Sequence, residues 1–137
     1  MAQFKLMETT FLSRRQPAGR ISLIGVSVLI VEDEPLIALD LHAALSAAGA
    51  GIIAATDTDE ALRLIRRNDV SAAVLDISLG ERDCTAVCQA LLHHRVPFLF
   101  HTGHANARML QAWPEVPVLI KPVSHRDIVA AVADLVY

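Results

Sequence analysis

Four acids, one threonine and one lysine stand where apolar runs of this sequence end. Glu32, Asp33 and Glu34 follow SVLIV, and Asp76 closes VSAAVLD. Thr102 follows PFLFH and precedes Gly103; Lys121 follows VPVLI and precedes Pro122. If the runs are parallel strands, their carboxyl ends share one edge of a sheet, where ligands bind. The acids would then crowd together. Two like charges about 4 Å apart cost roughly 1–4 kcal/mol at surface-like dielectric. A hard dication removes that repulsion, and carboxylates, a carbonyl and waters around a small pocket suit Mg²⁺. Lys121 adds a compact positive charge. A carboxylate beside Mg²⁺ and an ammonium is placed to attack a phosphoryl group and form an aspartyl phosphate. The Thr102 hydroxyl can donate to a phosphoryl oxygen afterwards. The expected acceptor is Asp76, with Asp33 and Glu32 as metal acids. Plainer readings exist for each: a helix cap for Asp76, helix-start acids for Glu32 to Glu34, a turn for Thr102 and surface for Lys121. Of these, only Glu34 is better read the plain way.

The intervening segments supply the scaffold. Apolar runs at 27–31, 51–55, 70–76, 97–101 and 116–120 read as strands. Between them lie helical patterns. Pro35 opens the first, with Ile37, Leu41, Leu45 and Ala48 inward and Gly49 as its stop. Asp57 or Thr58 caps the second, with Ala61, Leu62 and Ile65 inward. Residues 84–93 form the third, with Ala86, Val87, Ala90 and Leu91 as its stripe, and 105–112 a short fourth. Ser124 with Asp127 caps the fifth, with Ile128, Ala131, Val132 and Leu135 inward. Five strands alternating with five helices predict an α/β fold: a five-stranded parallel sheet, doubly wound, with helices on both faces. Residues 1–20 show no clean period and read as an N-terminal arm; residues 21–137 read as the domain.

Bulk properties narrow the function. The chain of 137 residues fits one domain. Hydrophobic residues at 53% and charged residues at 20% exclude a disordered chain. A formal charge of −3 argues against nucleic acid as a partner. The basic residues look scattered, and the pairs Arg14-Arg15 and Arg66-Arg67 read as solvated surface. No apolar stretch is long enough to span a bilayer and no leader is evident, so no membrane partner and a cytoplasmic location are expected. Cys84 and Cys88 lie four apart, with too few companions for a zinc site and poor geometry for a disulfide.

The stretches VLIVEDEPLIALDL, LDISLG, HTG and KP, in that order, resemble the receiver domain of bacterial response regulators, a CheY-like, flavodoxin-like fold. The resemblance covers roughly Ser27 to Leu135. It implies that Asp76 takes a phosphoryl group from a sensor histidine kinase or a phosphotransfer protein. It implies that Asp33 binds Mg²⁺ directly, that Glu32 does so largely through water, and that Ser78 offers its backbone carbonyl. Thr102 and Lys121 take the switch and phosphate-contact roles, and the Lys121-Pro122 bond is often cis in the family. Such a domain is a phosphoprotein rather than an enzyme. It signals to a downstream protein target, with a phosphorylation-dependent homodimer also allowed.

Two departures are informative. Most receivers carry an aromatic three residues before the lysine, where this chain has Val118. The run PFLFHTGH is similar to the FAT GUY subgroup, which lacks that aromatic, is often single-domain and is partnered with kinases of the HWE or related type. His104, two residues past Thr102, either controls the attacking water or is an exposed loop histidine. Three other functions stay open: a phosphate sink for a shared kinase, a phosphorylation-independent adaptor, and a haloacid dehalogenase-type phosphatase. The last wants an acid two residues past its nucleophile, where this chain has Ser78.

Overall fold

The computed structural model describes residues 20–79, 82–103 and 107–137. Five strands form one parallel sheet: β1 (Ser27–Val31), β2 (Gly51–Ala55), β3 (Ala72–Leu75), β6 (Phe98–Thr102) and β7 (Val118–Ile120). Their order is β2-β1-β3-β6-β7, so the direction of winding reverses between β1 and β3. That is the flavodoxin-like, doubly wound order, and its ligand crevice lies at this reversal. The three central strands carry continuous apolar runs because helices cover both of their faces. β3 and β6 are buried along their whole length, whereas the edge strands β2 and β7 are half open.

Helices α1 (Pro35–Ala47), α2 (Thr58–Arg67), α3 (Thr85–His93), α4 (Ala107–Ala112) and α5 (His125–Val136) alternate with these strands. One core layer joins Leu29, Leu75 and Phe100 of the sheet to Ile65 of α2, Val87 and Leu91 of α3 and Met109 of α4. The other joins Val28, Ile30, Val74 and Leu99 to Leu41 and Leu45 of α1 and Ile128 and Val132 of α5. Alternate strand residues feed opposite layers, as the two-residue pleat requires. Leu62 was expected inward on α2, yet Leu64 is the leucine that packs on the core. Ala86 is exposed on α3 and Cys88 takes its place in the stripe.

The caps follow the sequence. Asp57 Oδ1 accepts from the Glu60 amide at 2.8 Å, and Glu60 Oε1 accepts from the Thr56 amide at 3.0 Å. Ser124 Oγ accepts from the Asp127 amide at 3.1 Å. α1 relies on Pro35, since no side chain caps it. It stops at Gly49, whose φ of +101° is open to glycine but strained for other residues. A Cβ there would also fall 2.6 Å from Ile24 Cγ1.

One element was not foreseen. A two-stranded antiparallel hairpin, β4 (Ser78–Leu79) with β5 (Arg82–Asp83), stands between β3 and α3. β6 reaches Thr102 and β7 starts only at Val118. Cys84 and Cys88 are buried free thiols with sulfurs 3.8 Å apart, as the spacing implied. Apart from Arg20, the proposed arm lies outside the described residues, so its boundary is untouched by the fold. Among the described residues no helix is long and apolar enough to cross a membrane.

Candidate functional site

The sheet brings the strand-end groups to one edge. Val31 pairs with Leu75 across β1 and β3, so the residues that follow, Glu32-Asp33 and Asp76, leave the sheet at the same level. Leu75 pairs with Phe100 and Thr102 with Ile120, which places Thr102 and Lys121 beside them. The Lys121 amide donates to the Thr102 carbonyl at 2.8 Å, tying the last two strand ends together. The Lys121-Pro122 peptide is cis, as the resemblance implied.

The acids converge as the shared edge of a parallel sheet implied. Glu32, Asp33 and Asp76 each present an oxygen within 4.8 Å of the others. Glu32 is 2% exposed and Asp76 6%, while Asp33 faces solvent. Lys121 Nζ donates to Glu32 Oε1 at 2.6 Å and to Asp76 Oδ2 at 3.1 Å. The Ser78 amide donates to Asp76 Oδ1 at 3.1 Å, so both oxygens of that carboxylate have a donor. Glu32 Oε2 accepts from the Glu34 amide at 3.4 Å. Three carboxylates thus face one ammonium. The oxygen-only donor set fits a hard dication, and the surplus of acid gives a reason to bind one.

The same crowding shifts the proton affinities. Burial pushes the Glu32 carboxyl from its ordinary 4.5 up to about 7; the Lys121 ammonium opposes the rise and Asp76 adds to it. Burial also acts to lower the Lys121 pKa, but the hydrogen bonds and charges of Glu32 and Asp76 outweigh it and hold the lysine above its usual value.

A cleft of about 320 Å³ opens over this edge, lined by Asp33, Glu34, Asp76, Ser78, Thr102, Gly103 and Lys121. Every expected site residue among the described ones is at or beneath it. Glu32 lies below the cleft, and Glu34, read as a helix-start acid, lines it. Ser78 lines it through the hairpin and already supports Asp76 through its amide. Thr102 is buried, 1% exposed, at the cleft wall. His104 lies outside the described residues.

On a different element from the other histidines, His101 reads from the sequence as an ordinary surface or core residue, and the fold puts it in the core. It is 4% exposed at the penultimate position of β6, and its Nδ1 is buried with no hydrogen-bond partner among the described residues. Burial lowers its pKa and the Lys121 charge lowers it further, while Asp76 and Asp40 oppose. The alternation of β6 decides between the two, since His101 shares a face with core Leu99.

Comparisons with known proteins agree with this arrangement. The family model of the response regulator receiver domain matches residues 28–133. The chain is similar to the transcriptional regulatory protein TcrA of Mycobacterium tuberculosis, 37% identical over 92 residues, which is 65% of this chain and 36% of that protein. It is also similar to the phyllosphere-induced regulator PhyR of Methylorubrum extorquens, 30% identical over 119 residues, 83% of this chain and 45% of that one. The chain therefore spans less than half the length of these relatives. Among solved structures, a response regulator receiver protein from Sinorhizobium medicae superposes with a TM-score of 0.74 at 23% identity, over 81% of this chain and 94% of that one. A response regulator from Burkholderia pseudomallei, solved with a phosphorylated aspartic acid, a calcium ion and citrate, superposes with a TM-score of 0.68 at 25% identity, over 78% and 66%. With a sheet of this order, an acidic edge of this make-up and a family match across nearly the whole domain, the chain belongs to the response regulator receiver domains of two-component signalling.

Proposed function

We propose that this receiver is a phosphorylation switch whose acceptor is Asp76. The observation that carries the reading is the shared Lys121 ammonium, bonded to Asp76 and Glu32 with Asp33 alongside. Asp33, Asp76 and Glu32 would hold Mg²⁺, with Ser78 contributing its carbonyl. The ion supplies charge neutralisation at the transferring phosphoryl group. The chain's own part is positioning. The Ser78 amide and Lys121 fix the Asp76 carboxylate for in-line attack. Lys121 then follows the charge onto a phosphoryl oxygen, and Thr102 donates its hydroxyl to another.

The phosphoryl donor is a sensor histidine kinase or a phosphotransfer protein, and the output is contact with a protein target. The PFLFHTG run and Val118 support membership of the FAT GUY subgroup, and with it a kinase of the HWE or related type. Ser78, two residues past the acceptor, speaks against a haloacid dehalogenase-type enzyme. The Burkholderia relative, with its phosphorylated aspartic acid and calcium ion, supports the acceptor and the metal.

The test is incubation with acetyl phosphate and Mg²⁺, followed by intact-mass measurement. One acid-labile phosphoryl group is expected on the wild type and none on Asp76→Asn. Equal labelling of both proteins rejects the assignment.

A further inference from the structure

Helix α1 is apolar on two sides. Leu41, Ala44 and Leu45 enter the core. The other side carries Leu36, Leu39, Ala43 and Ala47, all exposed, with Leu36 at 81% and Leu39 at 66%. Steps of three, four and four residues stack them into one stripe along the helix. A helix that is apolar all round is ordinarily buried. The other large exposed apolar side chains among the described residues, Ile24, Leu92 and Ile120, stand singly on separate segments.

The charge around this stripe is of one sign. Residues 21–62, which make β1, α1, β2 and the start of α2, contain no lysine or arginine. Glu32, Asp33 and Glu34 stand at the head of α1, and Asp40 lies one residue past Leu39. α5, packed beside α1, adds His125, bonded to Asp40 at 2.7 Å, and Arg126, but also Asp127 and Asp134. The N-terminal arm has the opposite character. Residues 1–20 hold four basic residues, Lys5, Arg14, Arg15 and Arg20, and one acid, Glu8; the remaining residues hold eight basic and fourteen acidic. The arm also carries Leu6, Met7 and Leu12 and two of the chain's four phenylalanines, Phe4 and Phe11, so it has apolar surface to bury.

The arm joins the fold beside α1. The Leu23 amide donates to the carbonyl of Ala48, the residue that ends the helix, at 2.7 Å, and Ile21 packs on the same core layer as Leu41 and Leu45. α1 has 13 residues, a length of about 20 Å. Leu12 stands nine residues before Ile21, a reach of up to about 30 Å. The arm can therefore run from the foot of the helix to the acids at its head.

We propose that the N-terminal arm docks on its own domain along the exposed stripe of α1, with Phe11 and Leu12 covering Leu36 and Leu39 and Arg14 and Arg15 facing the acids at the head of the helix. A seated arm stands beside the opening of the acidic cleft. The docking needs no phosphoryl group and does not rest on Asp76 as acceptor.

The test is paramagnetic relaxation in the full chain, with a nitroxide on Ser13→Cys; Cys84 and Cys88 are buried and take no label. Loss of amide signal is expected along α1 as far as Leu36. Leu36→Ser with Leu39→Ser should restore those signals, and so should Arg14→Glu with Arg15→Glu, while the unchanged remainder of the amide spectrum reports an intact fold. Salt near 1 M, which screens charges beyond about 3 Å, should restore them in part. Loss confined to the surroundings of Ile21, as a free tether gives, overturns the proposal, as does loss centred on α3 or β7 or indifferent to both variants. Loss that appears only between nitroxide-labelled and isotope-labelled copies in a mixed sample also overturns it, because the occupant is then a second chain.

Discussion

At the scale of single residues, the site rests on unequal burial of like charges. Glu32 is buried and Asp33 is exposed, although they are neighbours in sequence. Because burial and Asp76 raise the Glu32 pKa to about 7, protons compete with a dication there near neutral pH. Mg²⁺ affinity should therefore fall as pH drops from about 8 to 6, and Glu32→Gln should flatten that dependence; a titration monitored by calorimetry reads both. Asp33→Ala should weaken Mg²⁺ by more than about tenfold, since even supporting residues around a metal are worth that much. The pKa of His101 is shifted in the other direction. Its folded pKa lies below the ordinary 6.5, so the neutral ring is favoured in the native state. The stability this provides is present above pH 6.5 and is lost as pH falls through the folded value. His101→Ala should accordingly show a smaller drop in unfolding midpoint between pH 7.5 and pH 5.5 than the wild type; an equal drop would place the acid sensitivity elsewhere.

At the scale of elements, the sequence was most legible where one chemical signal set each boundary. Pro35 and Gly49 bracket α1, and Asp57 and Ser124 cap α2 and α5. Gly49→Ala should cost roughly 1–3 kcal/mol in urea unfolding, because a side chain there meets both the positive φ and Ile24. A loss within experimental error would show that the Ile24 turn yields freely. Strand ends were less legible. β7 begins at Val118 rather than at residue 116, and Pro117 just before it has no amide to donate to a ladder. The β4–β5 hairpin escaped notice because two residues per strand cannot show a period. Whether His101 was surface or core stayed open because a lone histidine in PFLFHTG reads equally as strand interior or strand end until the pairing to Leu119 fixes its face.

At the scale of the whole molecule, the fold gathers at one edge the acids that the sequence keeps apart, Glu32 and Asp33 after β1 and Asp76 after β3. The site itself was readable before the fold, since four strand-end groups and a parallel sheet suffice to predict their meeting. What the sequence could not supply was the division of labour. That Lys121 bridges Glu32 and Asp76, and that the Ser78 amide holds the other Asp76 oxygen, depends on distances only the packed sheet sets. The central claim is that this edge makes Asp76 the residue that carries phosphate. Its most direct test is to treat the protein with acetyl phosphate, trap the acyl phosphate by borohydride reduction and map the reduced position by peptide sequencing. Reduction at Asp76 that requires Mg²⁺ is the predicted result; reduction at another acid, or labelling indifferent to Mg²⁺, would contradict it.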